Sequence, residues 1–542
     1  MKNLLALFLT SLLLSACSKT SEQVATKINV VNLENHIVEL SSDEYQGRMP
    51  FTEGEVKTVA YLENQFKEMG VEPGNGDSYF QEVPLVNITC QAEAEMKITG
   101  KGSNFSLKGF DDYILYSEKP EDAQSLDASE IVFAGYGIVA PEYNWNDYKD
   151  IDVKGKVVLV MVNDPGYGTQ DKSLFKGNTM TYYGRWTYKY EEAARQGAKA
   201  CLVIHNTAAA SYPFSVVQNS WNSPALMLDK RGQDEALNDI VGWISEPATM
   251  AILEAAGLDK TVFQEANQSD FKSISLGLGA TTSLTATYEY NNSKNVIAKV
   301  TGSKYPEEYI IYTAHWDHLG IGTPDATGDS IYNGALDNAT GTAGLIELAR
   351  TFNNRDQKPE RSMIFLAVTA EEQGLLGSAY YSTNPVYAAS KTLANINMDG
   401  LNYYGKTEDL IVVGQGQNDL EDYLKKAMQT QNREIAYEKH PEAGYYYRSD
   451  HFNFAKIGIP ALYLENGERV IGQDEDFGKN KNDDFRSNHY HRPSDEYNAD
   501  TWVLDGAVQD LELLYQVGSD ISNAKEWPVW KEGSEFKAIR EQ

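Results

Sequence analysis

From Asn295 to Val368 the chain alternates short apolar runs with amphipathic stretches, and this alternation constrains the fold more than any other feature. Val296-Ile297-Ala298-Lys299-Val300 and Tyr309-Ile310-Ile311-Tyr312-Thr313 read as strands, Leu345 to Phe352 as a helix, and Ser362 to Val368 as a fully buried strand. A continuous apolar strand has to be covered on both faces, and helices between such strands supply the cover. The pattern predicts an α/β fold with a central mixed β-sheet flanked by helices. In such sheets, chemistry collects where loops leave the strand ends.

At 542 residues the chain is too long for one compact domain, since roughly 150 residues per domain suggests three or four units. Upstream, Thr52 is placed to cap a helix carrying Val56, Val59, Leu62, Phe66 and Met69, with Gly70 as its stop. Composition shifts near Ile131. Ile131 to Gly137 and Lys156 to Val162 read as strands, and a helix ending near Ala200 runs into Cys201-Leu202-Val203-Ile204. These features define a β-rich unit over 131–255, inserted between two parts of the α/β domain at 36–130 and 256–525, with a C-terminal tail at 526–542. Tyr182, Tyr183, Trp186 and Tyr188 form an aromatic cluster inside the insert that reads as core.

Residues 1–16 have the layout of a signal peptide, with Lys2 ahead of an apolar run through Leu14 that is too short to span a bilayer as a stable helix. Leu14-Ser15-Ala16-Cys17 resembles a bacterial lipobox. It implies lipidation at Cys17, a polar tether over 17–35, and a body held at the cell envelope. Ser18 after the cysteine points to the outer membrane, facing periplasm or exterior. The lipid anchor would be the sole membrane contact. Cys90 and Cys201 then remain, and neither fold nor catalysis is expected to need a disulfide. A formal net charge of −31 excludes nucleic acid or an anionic membrane surface as the main partner.

The residues that carry chemistry sit at the predicted strand exits. His315-Trp316-Asp317 ends one strand, Asp337 opens a helix, Glu371-Glu372 follows the buried strand, Asp399 lies in Asn397-Met398-Asp399-Gly400, and His491 begins His491-Arg492-Pro493-Ser494-Asp495. Each group alone is commonplace. Together they are an ordered set of imidazole and carboxylate donors suited to divalent cations. Two ions close together need a shared anionic bridge with nitrogen and oxygen donors on either side. In the Glu-Glu pair, adjacent side chains diverge, so one carboxylate can bind metal while the other faces an activated water.

Ser41-Ser42-Asp43-Glu44-Tyr45-Gln46-Gly47-Arg48, His315-Trp316-Asp317-His318-Leu319-Gly320, Gly334 to Gly341, Glu371 to Ser378, Asn397 to Gly400, Arg448-Ser449-Asp450-His451 and His491 to Asp495 together resemble metallopeptidase family twenty-eight. The form resembled is the di-zinc aminopeptidase type, with a protease-associated (PA) domain as its insert. The resemblance implies the zinc-exopeptidase fold, peptide substrates and two zinc ions. It places His315 and Asp399 on one zinc, Glu372 and His491 on the other, and Asp337 between them. It makes Glu371 the general base, Asp317 the carboxylate that orients His315, and Tyr446 the oxyanion donor, with Tyr445 and Tyr447 as neighbouring candidates. His489 lies two residues from His491, but the spacing to Pro493 and Asp495 favours His491. His318, Asp450 and His451 match recurrent family positions and read as site-wall or structural residues. Carboxypeptidases of the same fold, which add arginines for the substrate carboxylate, are an alternative. So are glutaminyl cyclases and a non-catalytic, receptor-like binding protein, against which the intact ligand set counts.

Overall fold

The computed structural model describes residues 28–220 and 224–541. The expected signal peptide at 1–16 and the lipidation site Cys17 lie outside the described residues. The tether expected to reach residue 35 gives way at Asn29, whose Oδ1 accepts hydrogen bonds from the Val31 and Asn32 N–H groups at 3.0 and 3.3 Å. Asn29 thereby caps the helix Val30–Leu40, which buries Leu33, Ile37 and Leu40 along one stripe. The helix expected after Thr52 runs Glu53–Glu68, with the Thr52 hydroxyl accepting from the Gly54 N–H. Among the described residues no helix is long and apolar enough to cross a membrane.

The main sheet runs, in spatial order, Phe80–Ala92, Ile274–Val300, Arg361–Val368, Tyr305–His315, Thr392–Asn397, Ala461–Glu465, Asp409–Val412 and Glu434–Tyr437. The four strands from Arg361–Val368 to Ala461–Glu465 are mutually parallel and the flanking pairings introduce antiparallel neighbours, so the sheet is mixed. Side chains alternate as strand geometry demands. Ile310, Tyr312, Met363 and Phe365 face one core, which is closed by the helices Val30–Leu40, Glu53–Glu68, Thr340–Asn353 and Asp505–Ser522. Tyr309, Ile311, Ile364 and Leu366 face the other, against Tyr381 and Phe454. Because the central strands are parallel, their carboxyl ends all emerge on one edge. His315, the turn after Val368 and the turn after Asn397 leave the sheet together there.

The β-rich insert is larger than the sequence pattern marks. Met96, Ile98, Leu107, Tyr113 and Leu126 share one core with Leu159, Leu202, Ile244, Leu276 and Leu284. The unit therefore takes in strands from Glu95–Gly100 onward and the first half of Ile274–Val300, beyond the expected limits of 131 and 255. The added strands alternate polar and apolar residues and show no composition break, which is why the boundary was not visible. Ile274–Val300 is itself the joint: residues 279–285 pair with Ala123–Phe133 in the insert, while residues 296–300 pair with Arg361–Val368. Tyr182, Tyr183 and Tyr188 pack on Tyr136, Trp145 and Phe175, as core aromatics.

The segment expected as a tail is docked along much of its length. Trp530 Nε1 donates to the Gly458 carbonyl at 2.9 Å, and the Arg540 guanidinium donates to the Ala389 and Thr392 carbonyls at 2.7 and 2.8 Å.

Tyr312 ties helix Asp505–Ser522 to the sheet by donating its hydroxyl to the Leu514 carbonyl at 2.7 Å, and a Cβ at Gly518 would stand 2.0 Å from that hydroxyl oxygen. Gly518→Ala is therefore expected to cost about 2 kcal/mol by forcing the ring aside, readable as a lowered urea midpoint.

Candidate active site

The parallel strand ends bring most of the predicted residues into one place. His315 closes Tyr305–His315 and is fully buried. Its Nε2 lies 3.2 Å from Asp337 Oδ1, 3.2 Å from Asp399 Oδ1 and 3.9 Å from Glu371 Oε2. On the far side of Asp337, His491 Nε2 lies 3.5 Å from Asp337 Oδ2 and 2.9 Å from Glu372 Oε2. The two carboxylate oxygens of Asp337 thus face different imidazoles. His315 forms one convergent donor group with Glu371 and Asp399, and another with Asp337 and Glu372, the ligand atoms of each lying within 4.8 Å of one another. His491 Nε2 has no aligned hydrogen-bond partner despite the nearby Glu372 oxygen. Imidazole and carboxylate donors converging this closely, one of them unpartnered, fit a cation between them, and oxygen with imidazole suits a divalent ion.

Each carboxylate is held from behind. Asp399 accepts at Oδ2 from Ser449 Oγ at 2.6 Å. Ser449 Oγ accepts in turn from Asn397 Nδ2 at 2.7 Å, and Asn397 Oδ1 accepts from Thr313 Oγ1 at 2.6 Å. Glu372 Oε1 sits 2.5 Å from His318 Nδ1. Asp495 accepts at its two carboxylate oxygens from the N–H groups of Leu336 and Asp337, at 2.9 and 3.1 Å. Asn338 stitches the Asp337 turn to the Asp399 turn, donating to the Met398 carbonyl and accepting from the N–H groups of Gly341 and Gly400.

Asp317 differs in detail from its expected role. Its carboxylate accepts from the backbone N–H groups of Glu371 and Glu372 at 3.0 and 3.3 Å, and stands 3.8 Å from His315 Nδ1. The group within hydrogen-bond reach of Nδ1, at 3.1 Å, is the Asp317 carbonyl oxygen. Asp317 therefore orients His315 through its main chain and fixes the Glu371-Glu372 turn through its side chain.

The electrostatics of this cluster are extreme. Burial pushes the Glu371 carboxyl well above its usual range, with Asp399 and Glu372 adding to the push against the pull of His315. Burial acts in the same direction on Asp337, yet the imidazoles of His315 and His491 beside it hold it well below the ordinary carboxylate value. Asp317 and Asp450 are pushed up to about 7, mainly by burial. So many buried acids are stable only beside compensating positive charge.

A cleft of about 630 Å³ opens on the cluster. Glu371, Glu372, Leu375, Tyr447, Phe452, Tyr490 and His491 form one wall, and Arg185, Trp186, Tyr190 and Met227 of the insert form the other. A second cavity of about 750 Å³, at Tyr167, Tyr212, His440 and Tyr445, contains none of the clustered donors. Tyr446, expected as the oxyanion donor, is not brought to the cluster. It is buried among Met180, Val413, Tyr447, Phe452, Trp530 and Phe536, and its hydroxyl has no hydrogen-bond partner among the described residues. Of the tyrosines near this edge, Tyr490 stacks on His491 with ring centroids 3.8 Å apart and lines the cleft. His451 is likewise buried, stacked on Tyr463.

The family model for peptidase family M28 matches residues 295–515, the segment that carries all of the clustered donors. Over this stretch the chain is similar to peptidase family M28. Its curated relatives include a probable zinc metalloprotease of Pyrenophora teres f. teres, 36% identical over 20% of this chain and 22% of the relative. They also include carboxypeptidase Q of Rattus norvegicus, 33% identical over 21% of each chain, and a rat aminopeptidase, NAALADL1, 34% identical over 20% of this chain and 14% of the relative. The matched stretch spans about a fifth of the first curated relatives' length. Among solved structures, an aminopeptidase from Aneurinibacillus sp. strain AM-1 aligns over 92% of this chain and 95% of its own, at 20% identity and a TM-score of 0.49.

The centre also depends on groups whose roles the sequence did not reveal. His318 and Ser449 stand inside recognisable motifs, but only contact shows what each one holds. Arg48 is the most consequential. It is 1% exposed and donates to the carbonyls of Leu40, Trp316, Asn333 and Gly334 at 2.6–2.8 Å, binding the strand end after His315 to the Asp337 loop. Burial lowers its pKa to about 10, against the pull of Asp495, Asp317, Asp337 and Glu372. Arg48→Met is expected to lower stability by about 3 kcal/mol, because it leaves buried carbonyls unpaired and the acids uncompensated. Chemical denaturation of the full chain measures it.

Proposed function

We propose that this protein is a metal-dependent exopeptidase that removes N-terminal residues from peptides, using two zinc ions. The observation that carries the reading is Asp337, which turns one oxygen to His315 at 3.2 Å and the other to His491 at 3.5 Å. His315 and Asp399 would hold one ion, Glu372 and His491 the other, and Asp337 both. Ions bound there supply Lewis acidity, polarising the scissile carbonyl and acidifying water towards neutral pH. Glu371 then takes a proton from the attacking water and delivers it to the leaving amine. Its backbone is fixed for this by Asp317. The match to peptidase family M28 over 295–515 supports a peptidase, and the names of the zinc metalloprotease and aminopeptidase relatives support the metal and the direction of attack. The insert is read as a PA-type unit capping the cleft. Cys17 is read as the lipidated anchor that holds the body at the cell envelope, on the strength of Leu14-Ser15-Ala16-Cys17.

One observation favours a second reading, a carboxypeptidase. Arg185 and Arg448 both line the cleft, and Arg185 makes no ion pair among the described residues, so a substrate carboxylate would find a cation there. Aminoacyl-p-nitroanilides separate the two. Chelator-sensitive release that is lost when the substrate amine is acetylated establishes the aminopeptidase. Hydrolysis confined to N-blocked peptides with free C-termini establishes the carboxypeptidase instead.

Two substitutions test the assigned roles. Glu371→Ala is expected to retain both metals by elemental analysis while turnover falls about a thousandfold. Ser449→Ala, which frees Asp399 Oδ2, is expected to weaken metal affinity about tenfold in a calorimetric titration.

A further inference from the structure

The segment after residue 525 does more than pack. Glu535 lies within eight residues of the C-terminus, yet its side chain is only 8% exposed. A carboxylate buried that deeply requires partners, and it has them on two sides. Glu535 Oε2 pairs with Lys176 Nζ of the insert at 2.6 Å, and Oε1 accepts from the Tyr182 backbone N–H of the insert at 3.4 Å. Oε1 also accepts from the Tyr447 hydroxyl at 2.7 Å, on the turn that leads into Ser449. Phe536, the next residue, inserts behind that turn, with its ring 5.1 Å from Trp530 and 6.2 Å from Tyr446. Lys176 and Tyr447 give Glu535 a carboxyl held below its usual range despite burial.

Tyr447 stands two residues before Ser449, the hydroxyl that aims Asp399. It also forms part of the cleft wall beside Phe452. The insert supplies the opposite wall. One side chain therefore connects the insert, the C-terminal segment and the turn that orients a metal-site carboxylate.

We propose that Glu535 is a positioning residue of the active centre. By holding Tyr447 and the insert together, it fixes the turn 445–449 so that Ser449 keeps Asp399 turned into the centre. The inference rests on the metal-centre reading above, and its test separates the two. In the full chain, Glu535→Ala is expected to weaken metal affinity and lower kcat, each about tenfold, with a smaller change in KM. Glu535→Gln keeps an acceptor for Tyr447 and is expected to recover most of that loss. Tyr447→Phe should reproduce it. The double variant Glu535→Ala/Tyr447→Phe should be no worse than the more affected single one, as coupled partners require.

A fall in thermal stability with metal affinity and kcat at wild-type values would overturn the proposal, and so would additive losses in the double variant. Should Glu535→Ala fail to fold, Tyr447→Phe and Lys176→Met carry the same comparison. If the wild-type chain binds metal but cleaves no peptide, the peptidase reading fails, and metal affinity across these variants still decides the role of Glu535.

Discussion

The constraint on which the structure depends is the crowding of buried carboxylates at the carboxyl ends of the sheet's parallel strands. Asp317, Asp337, Glu371, Glu372, Asp399, Asp450 and Asp495 are gathered where His315 and its neighbouring strands end. Moving acids out of water is costly unless cations or donors stand close by. The chain meets that cost with Arg48 beneath the cluster, with imidazoles at His315, His318 and His491, and with backbone N–H groups aimed at Asp317 and Asp495. What these do not neutralise is left for cations supplied from solution.

The parallel arrangement of the central strands does the collecting. His315, the Glu371-Glu372 turn and Asp399 meet because their strands' carboxyl ends open on the same edge, and His491, 176 positions after His315, is brought to them by the loop after helix Phe477–Asn488. Reversing any one of those strands would carry its donor to the opposite edge. The loops then set direction. Asn338 bonds the Asp337 turn to the Asp399 turn, and Ser449 reaches from a third segment to the same aspartate.

The long strand Ile274–Val300 has a separate consequence. It is shared by the main sheet and the insert sheet, so the insert is continuous with the catalytic framework through hydrogen-bonded backbone rather than hung on a linker. That continuity, with the ion pairs Lys176–Glu535 and Lys456–Glu191, holds Arg185, Trp186 and Tyr190 against the cleft. The space above the clustered donors is thus bounded by a second folded unit, which limits the shape of any molecule that can enter.

Much of this was legible in the residues themselves. Apolar periodicity marked the helix Glu53–Glu68 and the buried strand Arg361–Val368, because burial on a helix or a two-sided strand leaves a direct imprint on composition. His315, Asp337, Glu372, Asp399 and His491 stand in motifs whose family resemblance names them as ligands, and the structure brings them together. Roles that depend on direction were not. Tyr446 carries the right neighbours in sequence but turns into an apolar cluster, and Asp317 uses its carboxylate on backbone N–H groups while its carbonyl meets His315. Glu95–Gly100 and Ser103–Lys108 look like any half-exposed strands until their pairing assigns them to the insert. Sequence determined which chemistry the chain carries and which segments are strand or helix, since those follow from local composition. Only the tertiary structure decided which side chains face one another, because contact direction comes from strand order and loop geometry that no single segment encodes.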